Sequence, residues 1–169
     1  MPIHQLNHAV LYVRDVQRSV DFYTDILGFR VVAALPGAAF VQAPDSTNDH
    51  DLGLFEIGAQ AGDSPAGRTA VGLYHLAWEV DTLAELKRLA GVLAEAGSLV
   101  GSSDHTTSKS LYAKDPDGIE FEVVWLVPGD RVAEAKASGG QGIRPLHLDR
   151  EIERYGARTR GGVGISVPA

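Results

Sequence analysis

The 169-residue sequence predicts an α+β fold built from two βαβββ modules. The main observation is an internal repeat, because each half of the chain runs as one strand-like segment, one helix-like segment and three short strand-like segments. The halves open with LNHAVLYVRD at residue 6 and GLYHLAWEVD at residue 72. We therefore expect one domain over residues 1–127, with modules at 4–57 and 72–127, a linker at 58–71 and a tail at 128–169.

The helix of each module has recognisable start and stop signals. In the first module, VQRSVDFYTDIL follows Asp15, a good N-cap, and precedes Gly28, which suits the left-handed turn that ends a helix. Thr82 and Gly97 take the same places around LAELKRLAGVLAEA in the second module. The apolar spacing in both segments predicts amphipathic helices that pack on the core.

The strands are predicted from a two-residue alternation of side chains. In the first strand, His8 shares a face with Val10 and Tyr12, while Leu11 and Val13 share the other. His75 has the matching place in the second module. Because the larger apolar set should face the helices, both histidines are expected on the opposite face.

Turn and tail signals complete the organisation. Asp115-Pro116-Asp117-Gly118 fits a type I turn position by position and should join the strands that carry Tyr112 and Glu122. After Pro128 the chain becomes rich in Gly, Arg and Ala, with one amphipathic piece at 146–155. We expect a partly ordered tail, a fully disordered end being the alternative.

Composition narrows the possible functions. The absence of cysteine excludes disulfides, thiolate metal sites and cysteine nucleophiles, so any metal must be bound by His, Asp or Glu. The net charge of -7, without a basic block, argues against nucleic-acid and anionic-membrane surfaces. No signal-like N-terminus or long apolar run is present, so a cytoplasmic protein without a membrane segment is expected.

The duplicated histidines are the strongest candidate metal ligands. If the two modules pack about a pseudo-twofold axis, His8 and His75 approach one another from opposite sides, as a first-row metal requires. The last strand offers a carboxylate from a third direction, at Glu120 or Glu122. Alternation does not choose between the two, and both could equally be the solvent-facing half of an amphipathic strand.

The motifs LNHAVLYVRD, SVDFYTDILGF, GLYHLAWEVD and SLYAKDPDGIEFEVVW together resemble the vicinal oxygen chelate superfamily, also called the glyoxalase/bleomycin-resistance/extradiol-dioxygenase superfamily. The resemblance covers residues 4–127. It implies a mixed sheet curled around a metal, with His8, His75 and Glu122 as ligands. Glu122 is preferred because it lies ten residues after Tyr112, the spacing seen in extradiol dioxygenases.

The resemblance also separates the chemistries within the superfamily. Glyoxalases take a fourth ligand, a glutamate, from the last strand of the first module, where this chain has Leu54. Glu56 shares the parity of Leu54, so a shifted register is the alternative. In extradiol dioxygenases a histidine opens that strand as an acid–base residue, which predicts a catalytic role for His50. Strand parity places His50 with Leu52 and Leu54 on the metal side.

The resemblance therefore implies an Fe(II)-dependent extradiol ring-cleavage dioxygenase, with Mn, Ni or Zn as alternative metals. Its substrates would be a small catechol-type aromatic diol and O2, with His105 and Tyr112 as further catalytic residues and a homodimer as the assembly. His4 and His147 are expected at the surface. The alternatives are a glyoxalase-like isomerase, a fosfomycin-type thiol transferase and a metal-free drug-binding protein. Many extradiol enzymes have two module pairs, whereas this chain has one.

Overall fold

The computed structural model describes residues 3, 5–66, 69–139 and 142–162. They form two compact units, each containing one four-stranded mixed sheet. The first unit comprises the chain up to Pro65 together with Asp115–Gly118. The second comprises Ala66–Lys114 and the chain from Ile119 onward.

The first unit has one helix and four strands. They follow the chain as β1 (Ala9–Val13), α1 (Val16–Asp25), β2 (Arg30–Leu35), β3 (Ala38–Gln42) and β4 (Leu52–Glu56). The strand order is β1-β4-β3-β2, with β1 parallel to β4 and the other pairs antiparallel. This is the predicted βαβββ module.

The second unit repeats this plan. Its elements are β5 (Leu76–Glu79), α2 (Leu83–Glu95), β6 (Leu99–Asp104), β7 (Ser108–Lys114) and β8 (Glu120–Leu126). The order β5-β8-β7-β6 matches that of the first sheet strand for strand. The predicted fold class is thus confirmed, with one correction: the strands form two separate sheets, one in each unit, instead of a single curled sheet.

The predicted helix caps are present in both units. The Asp15 carboxylate accepts a hydrogen bond from the Arg18 N–H at 3.0 Å, and Thr82 Oγ1 accepts one from the Glu85 N–H at 3.3 Å. Gly28 and Gly97 follow the two helices with φ angles of 76° and 69°, a region that glycine adopts without strain.

Strand alternation separates a buried face from a second face in each sheet. Leu11 and Val13 in β1 are buried, whereas Tyr12 is 70% exposed. In β8 the residues Phe121, Val123 and Trp125 are buried, and those between them are half-buried. The expectation that the larger apolar set lies in the core is therefore correct for these strands.

The tail contributes a 3₁₀ turn (Gly129–Arg131) and two helices, α3 (Val132–Gly139) and α4 (Leu148–Tyr155), to the second unit. Helix α4 lies within the predicted amphipathic piece. Helix α3 was not predicted, because its sequence VAEAKASG has no apolar stripe. Beyond α4, the Thr159 carbonyl accepts a hydrogen bond from Trp125 Nε1 at 3.3 Å. The end of the predicted tail, residues 163–169, lies outside the described residues.

The turn between β7 and β8 belongs to the first unit. It closes with a hydrogen bond from the Gly118 N–H to the Asp115 carbonyl at 3.0 Å, as the sequence predicted. Asp117 accepts hydrogen bonds from the Arg14 N–H at 3.1 Å and the Arg14 guanidinium at 2.9 Å. The end of β1 and this turn are thereby joined through a largely buried ion pair. None of the helices in the described part of the chain is long and apolar enough to cross a membrane.

Candidate metal and substrate site

The second unit brings two predicted metal ligands together. His75 immediately precedes β5, and Glu122 lies in β8 opposite Ala77, two residues after the histidine. His75 Nε2 is 3.2 Å from Glu122 Oε2, and both side chains are largely buried. Parallel pairing of β5 with β8 thus turns two residues far apart in sequence into neighbours.

The chemistry of this pair fits a divalent metal. An imidazole nitrogen and a carboxylate oxygen are the donors that first-row metals prefer when no thiolate is present. The other ring nitrogen, His75 Nδ1, is buried and has no hydrogen-bond partner among the described residues. Within the described residues of this unit, no third His, Asp or Glu joins the pair.

The register of the second sheet distinguishes Glu122 from Glu120. Glu122 lies opposite Tyr112 on β7, whereas Glu120 lies opposite Lys114, near the turn. Only Glu122 makes the ion-pair contact with His75. The carboxylate beside His75 in the second unit is therefore that of Glu122.

Tyr112 and His105 form a second polar pair in the same unit. The Tyr112 hydroxyl is 2.7 Å from His105 Nε2, and the His75 ring lies 6.0 Å from the Tyr112 ring between centroids. Partial burial and the nearby Glu122 carboxylate raise the pKa of Tyr112 above its ordinary value. The phenol consequently stays protonated near neutral pH and can donate a hydrogen bond.

The first unit holds the remaining predicted site residues, His8 and His50. Their ring centroids are 4.4 Å apart, and the Phe40 ring meets His50 edge-on at 5.0 Å. His50 Nδ1 lies 2.8 Å from Asp49 Oδ2, which restrains the orientation of the ring. The sequence did not single out Asp49 or Phe40.

A buried aspartate fixes the conformation of the loop that carries His50. The Asp51 carboxylate accepts hydrogen bonds from the Ala43 N–H, the Ser46 hydroxyl and the Asn48 side-chain amide, each at 2.8 Å. His50 sits just before β4, in the segment that these bonds fix. The DHD pattern in the sequence was the available signal for Asp51, but only the fold shows that its partners lie up to eight residues earlier.

The register of the first sheet corrects the sequence prediction about Leu54. Because Val10 pairs with Gly53, the residue equivalent to Glu122 is Gly53, counted from each histidine in the same way. Leu52 and Leu54 are completely buried on the face that carries Leu11 and Val13. His50 therefore reaches the His8 ring because the chain bends before β4, and not because of strand parity.

The glycine leaves room for two aromatic rings. A Cβ atom on Gly53 would lie 3.1 Å from Phe55 Cε2 and 3.6 Å from Phe40 Cε1. The two rings meet edge-to-face, with centroids 5.8 Å apart. The point that holds a carboxylate in the second unit is therefore an apolar, aromatic surface in the first.

Glu56, the alternative fourth ligand, is engaged elsewhere. Its Oε2 accepts a hydrogen bond from the Val16 N–H at 3.0 Å, at the start of α1. A carboxylate at a helix N-terminus is stabilised by the helix dipole. The shifted-register alternative is thus not supported by the position of this side chain.

The predicted site residues fall into three groups. His75 with Glu122 and His105 with Tyr112 meet in the second unit, and His8 with His50 in the first. His147 is exposed just before α4, as expected of a surface residue, and His4 lies outside the described residues.

The duplicated βαβββ modules define a mixed α+β fold, in which an imidazole just before β5 meets a carboxylate on β8. In a comparison of the sequence with family models, residues 5–123 match the Glyoxalase/Bleomycin resistance protein/Dioxygenase superfamily. The chain belongs to this superfamily.

The names of individual relatives indicate different activities. The chain is 33% identical to a catechol-2,3-dioxygenase of Bacillus subtilis over 72% of its own length and 42% of that protein. It is 32% identical to a lactoylglutathione lyase of Escherichia coli O157:H7 over 71% of its own length and 91% of that protein. A glyoxylase/bleomycin resistance protein/dioxygenase domain from Frankia sp. EAN1pec shares the fold with a TM-score of 0.63 and 24% identity, covering 79% of this chain and 99% of that chain.

The chain spans less than half the length of the dioxygenase that it matches. Similar proteins also include fosfomycin resistance proteins and a manganese-dependent 2,3-dihydroxybiphenyl 1,2-dioxygenase. The superfamily is thus established, and divalent metals are named among its members.

Proposed function

We propose that the protein is a metal-dependent extradiol dioxygenase that opens a catechol-type ring beside its two hydroxyls. The observation that carries this proposal is Gly53, which occupies the position equivalent to Glu122 and offers no ligand. A glyoxalase-type centre needs a carboxylate at that position. The resemblance implies His8, His75 and Glu122 as the ligands, and a 2-His-1-carboxylate set leaves coordination positions open for substrate and O2 in non-haem Fe(II) oxygenases.

The proposed metal is Fe(II), with Mn as the nearest alternative. When bound, such a metal lowers the pKa of a coordinated hydroxyl and brings the diol and O2 together. The chain's own contribution begins with charge: two neutral imidazoles and one carboxylate leave a divalent site with a net positive charge, which favours an anionic diol.

Three polar residues would transfer protons or donate hydrogen bonds during the reaction. His50, with its ring set by Asp49, would accept a proton from a substrate hydroxyl and return it later in the reaction. Tyr112 would donate a hydrogen bond to a substrate oxygen, since its raised pKa keeps the phenol protonated. His105 would hold that hydroxyl in place through the 2.7 Å contact.

The first unit presents an aromatic surface at His50, where the Phe40 ring contacts the histidine and the Phe55 ring contacts Phe40. Such surfaces favour flat aromatic ligands over extended polar thiols. This is the second feature that supports a catechol over a glutathione adduct.

The experiment is a direct comparison of two reactions. The purified protein is loaded anaerobically with Fe(II), mixed with a panel of catechols and exposed to air, while absorbance of the yellow ring-opened product and oxygen uptake are recorded. We expect product from at least one catechol. If no catechol reacts, and the Ni(II) or Zn(II) form isomerises a glutathione hemithioacetal, the proposal is wrong and the lyase assignment replaces it.

The role of His50 is tested by His50→Ala. We expect the variant to retain bound iron and to lose about 100- to 10,000-fold in kcat, the usual contribution of a general acid–base residue. His147→Ala is the matched control, because His147 is exposed before α4 and outside the proposed site. Full activity of His50→Ala would contradict the assignment.

A further inference from the structure

The turn between β6 and β7 has an unusual backbone. Thr106 has a φ of 73° and is the one non-glycine residue with positive φ in the described part of the chain. The Thr107 N–H donates to the His105 carbonyl at 2.9 Å, which makes a γ-turn centred on Thr106. A β-branched residue is strained in this conformation, so the surrounding structure must hold it there.

Two charged side chains hold both peptide groups of Thr106. Asp104 Oδ1 accepts a hydrogen bond from the Thr106 N–H at 2.7 Å. Lys109 Nζ donates to the Thr106 carbonyl at 3.3 Å and to Asp104 Oδ1 at 2.5 Å. The Asp104–Lys109 pair therefore spans the base of the turn and fixes its middle residue from both sides.

Residues of the tail supply one further charged partner to each member of the Asp104–Lys109 pair. Glu151 of α4 places Oε2 3.0 Å from Lys109 Nζ, on a lysine whose side chain is only 1% exposed. The Arg144 guanidinium donates to Asp104 Oδ2 at 2.8 Å, and the backbones of these two residues exchange two hydrogen bonds. A buried ammonium needs such compensation, because burial without it is strongly unfavourable.

The turn adjoins a residue of the candidate site. His105 immediately precedes Thr106, and its Nε2 is 2.7 Å from the Tyr112 hydroxyl. The His105 N–H is fixed as well, since it donates to the Ser108 carbonyl at 2.9 Å. The γ-turn thus includes the His105 carbonyl, and the backbone and the ring of His105 are both held by contacts within the same hairpin.

We propose that the C-terminal segment positions His105 for contact with substrate, acting through the Asp104–Lys109 pair. Arg144 and Glu151 hold the pair, and the pair holds Thr106 in the γ-turn. The turn then keeps the His105 ring against Tyr112. The segment lies beyond residues 5–123, where the family model matches. Its effect on turnover rests on the proposed function, whereas its effect on the turn does not.

The first test removes one charge of the tail. In Glu151→Gln, we expect hydrogen exchange at the Thr106 and Thr107 amides to accelerate at least about tenfold. Local opening becomes easier when Lys109 loses the charge of the Glu151 carboxylate. The NMR signals of the His105 ring should shift as the contact with Tyr112 loosens. Glu153→Gln is the matched control, since Glu153 is exposed on the same helix. We expect it to change neither measurement.

The second test asks whether the strain at Thr106 is the link. Glycine adopts positive φ freely, so Thr106→Gly should hold the turn without help from the tail. In the Glu151→Gln background, Thr106→Gly should therefore restore the His105 signals. With an active catechol, Glu151→Gln should lower kcat about tenfold with little change in KM, the pattern of a displaced catalytic group, and the double variant should recover most of it.

The outcomes separate the two proposals. Unchanged exchange and unchanged His105 signals in Glu151→Gln overturn the positioning role, whatever the activity. Exchange that accelerates equally throughout the second unit also overturns it, because that result indicates a general stabilising role. If the double variant stays as impaired as Glu151→Gln, Thr106 is not the link. Failure of every catechol with the unmodified protein overturns the dioxygenase proposal, and the exchange and NMR results still decide the positioning role.

Discussion

The two sheets share one backbone plan but carry different chemistry at the same point. Both have the same strand order. Each also has a shift in strand register, between β2 and β3 at Val31/Ala33 and between β6 and β7 at Leu99/Gly101. At the matching register point, however, one sheet has Gly53 and the other Glu122. Duplication thus supplied a scaffold in which one half became polar and the other aromatic.

The neighbouring strand shows the same divergence. Phe40 lies opposite Gly53, and Tyr112 lies opposite Glu122. Phe40 packs against His50, while the Tyr112 hydroxyl contacts His105. A single hydroxyl therefore distinguishes a packing residue in one unit from a hydrogen-bonding residue in the other.

The two equivalent hairpin turns each contain a residue with positive φ, and they accommodate it differently. Gly37, between β2 and β3, and Thr106, between β6 and β7, both have a φ of 73°. Glycine adopts this conformation without a side-chain penalty, whereas the threonine is held by Asp104 and Lys109. A strained turn next to a candidate site residue is thus tied to a charge network that the glycine turn does not need.

The largest expected effect comes from exchanging the carboxylate that separates the two sheets. Glu122→Gln should weaken metal binding at least about 100-fold and abolish turnover, because a coordinating carboxylate becomes a neutral amide. Metal content after loading and calorimetric titration measure the change. Glu120→Gln, two residues away and opposite Lys114, is the control and should bind metal normally. Equal loss in both variants would contradict the assignment.

Filling the glycine should disturb the first unit. Gly53→Glu would force a carboxylate between the Phe40 and Phe55 rings, and we expect the free energy of unfolding to fall by about 2–3 kcal/mol. Gly53→Ala should cost less, about 1 kcal/mol, since only the Cβ contact at 3.1 Å must relax. Denaturant titration measures both values. Adding Phe55→Leu should recover part of the loss in Gly53→Ala; a further loss would show that the rings are not the cause.

The paired turns make a smaller and sharper test. Gly37→Ala should lower the free energy of unfolding by about 1 kcal/mol, because the alanine has to adopt positive φ. A Cβ there would meet only Glu56 Cβ, at 4.0 Å, so the effect is conformational and not steric. Thr106→Gly should change the same quantity by less than about 0.5 kcal/mol, since relief of strain offsets the added freedom of the unfolded chain. A large loss in Thr106→Gly would mean that the threonine side chain itself stabilises the turn.

The smallest expected effect is a pH dependence in the second unit. Burial alone would raise the pKa of Asp104, but Lys109, the Thr106 N–H and Arg144 together hold that pKa below its usual value. A carboxylate with a lowered pKa contributes stability that is present above its unfolded-state pKa of about 3.9 and is lost as pH falls through the lower folded-state value. Asp104→Asn should therefore flatten the loss of stability below about pH 4. Unfolding midpoints from pH 2.5 to 7 measure it, with Asp149→Asn, an exposed residue on α4, as the control. An unchanged acid limb in Asp104→Asn would contradict this.

Much of the fold could be read from the sequence because its signals are local. The caps at Asp15 and Thr82 and the apolar periods of α1 and α2 lie within one or two turns of helix, and the structure confirms them. The resemblance implied His75 and Glu122 as ligands of one metal, and in the structure these two side chains lie in contact. Helix α3 was missed because its segment has no apolar stripe to signal it.

The sequence by itself determined the modules, the candidate ligands and the absence of thiolate chemistry, because repeats, caps and composition are properties of the chain alone. Only the tertiary structure decided that Gly53, and not Leu54, matches Glu122, since the register between parallel strands is set by pairing across many residues. It also decided the charge network behind Thr106. Buried ion pairs depend on which side chains the fold excludes from water together, and Lys109 and Glu151 lie 42 positions apart with no pattern that links them.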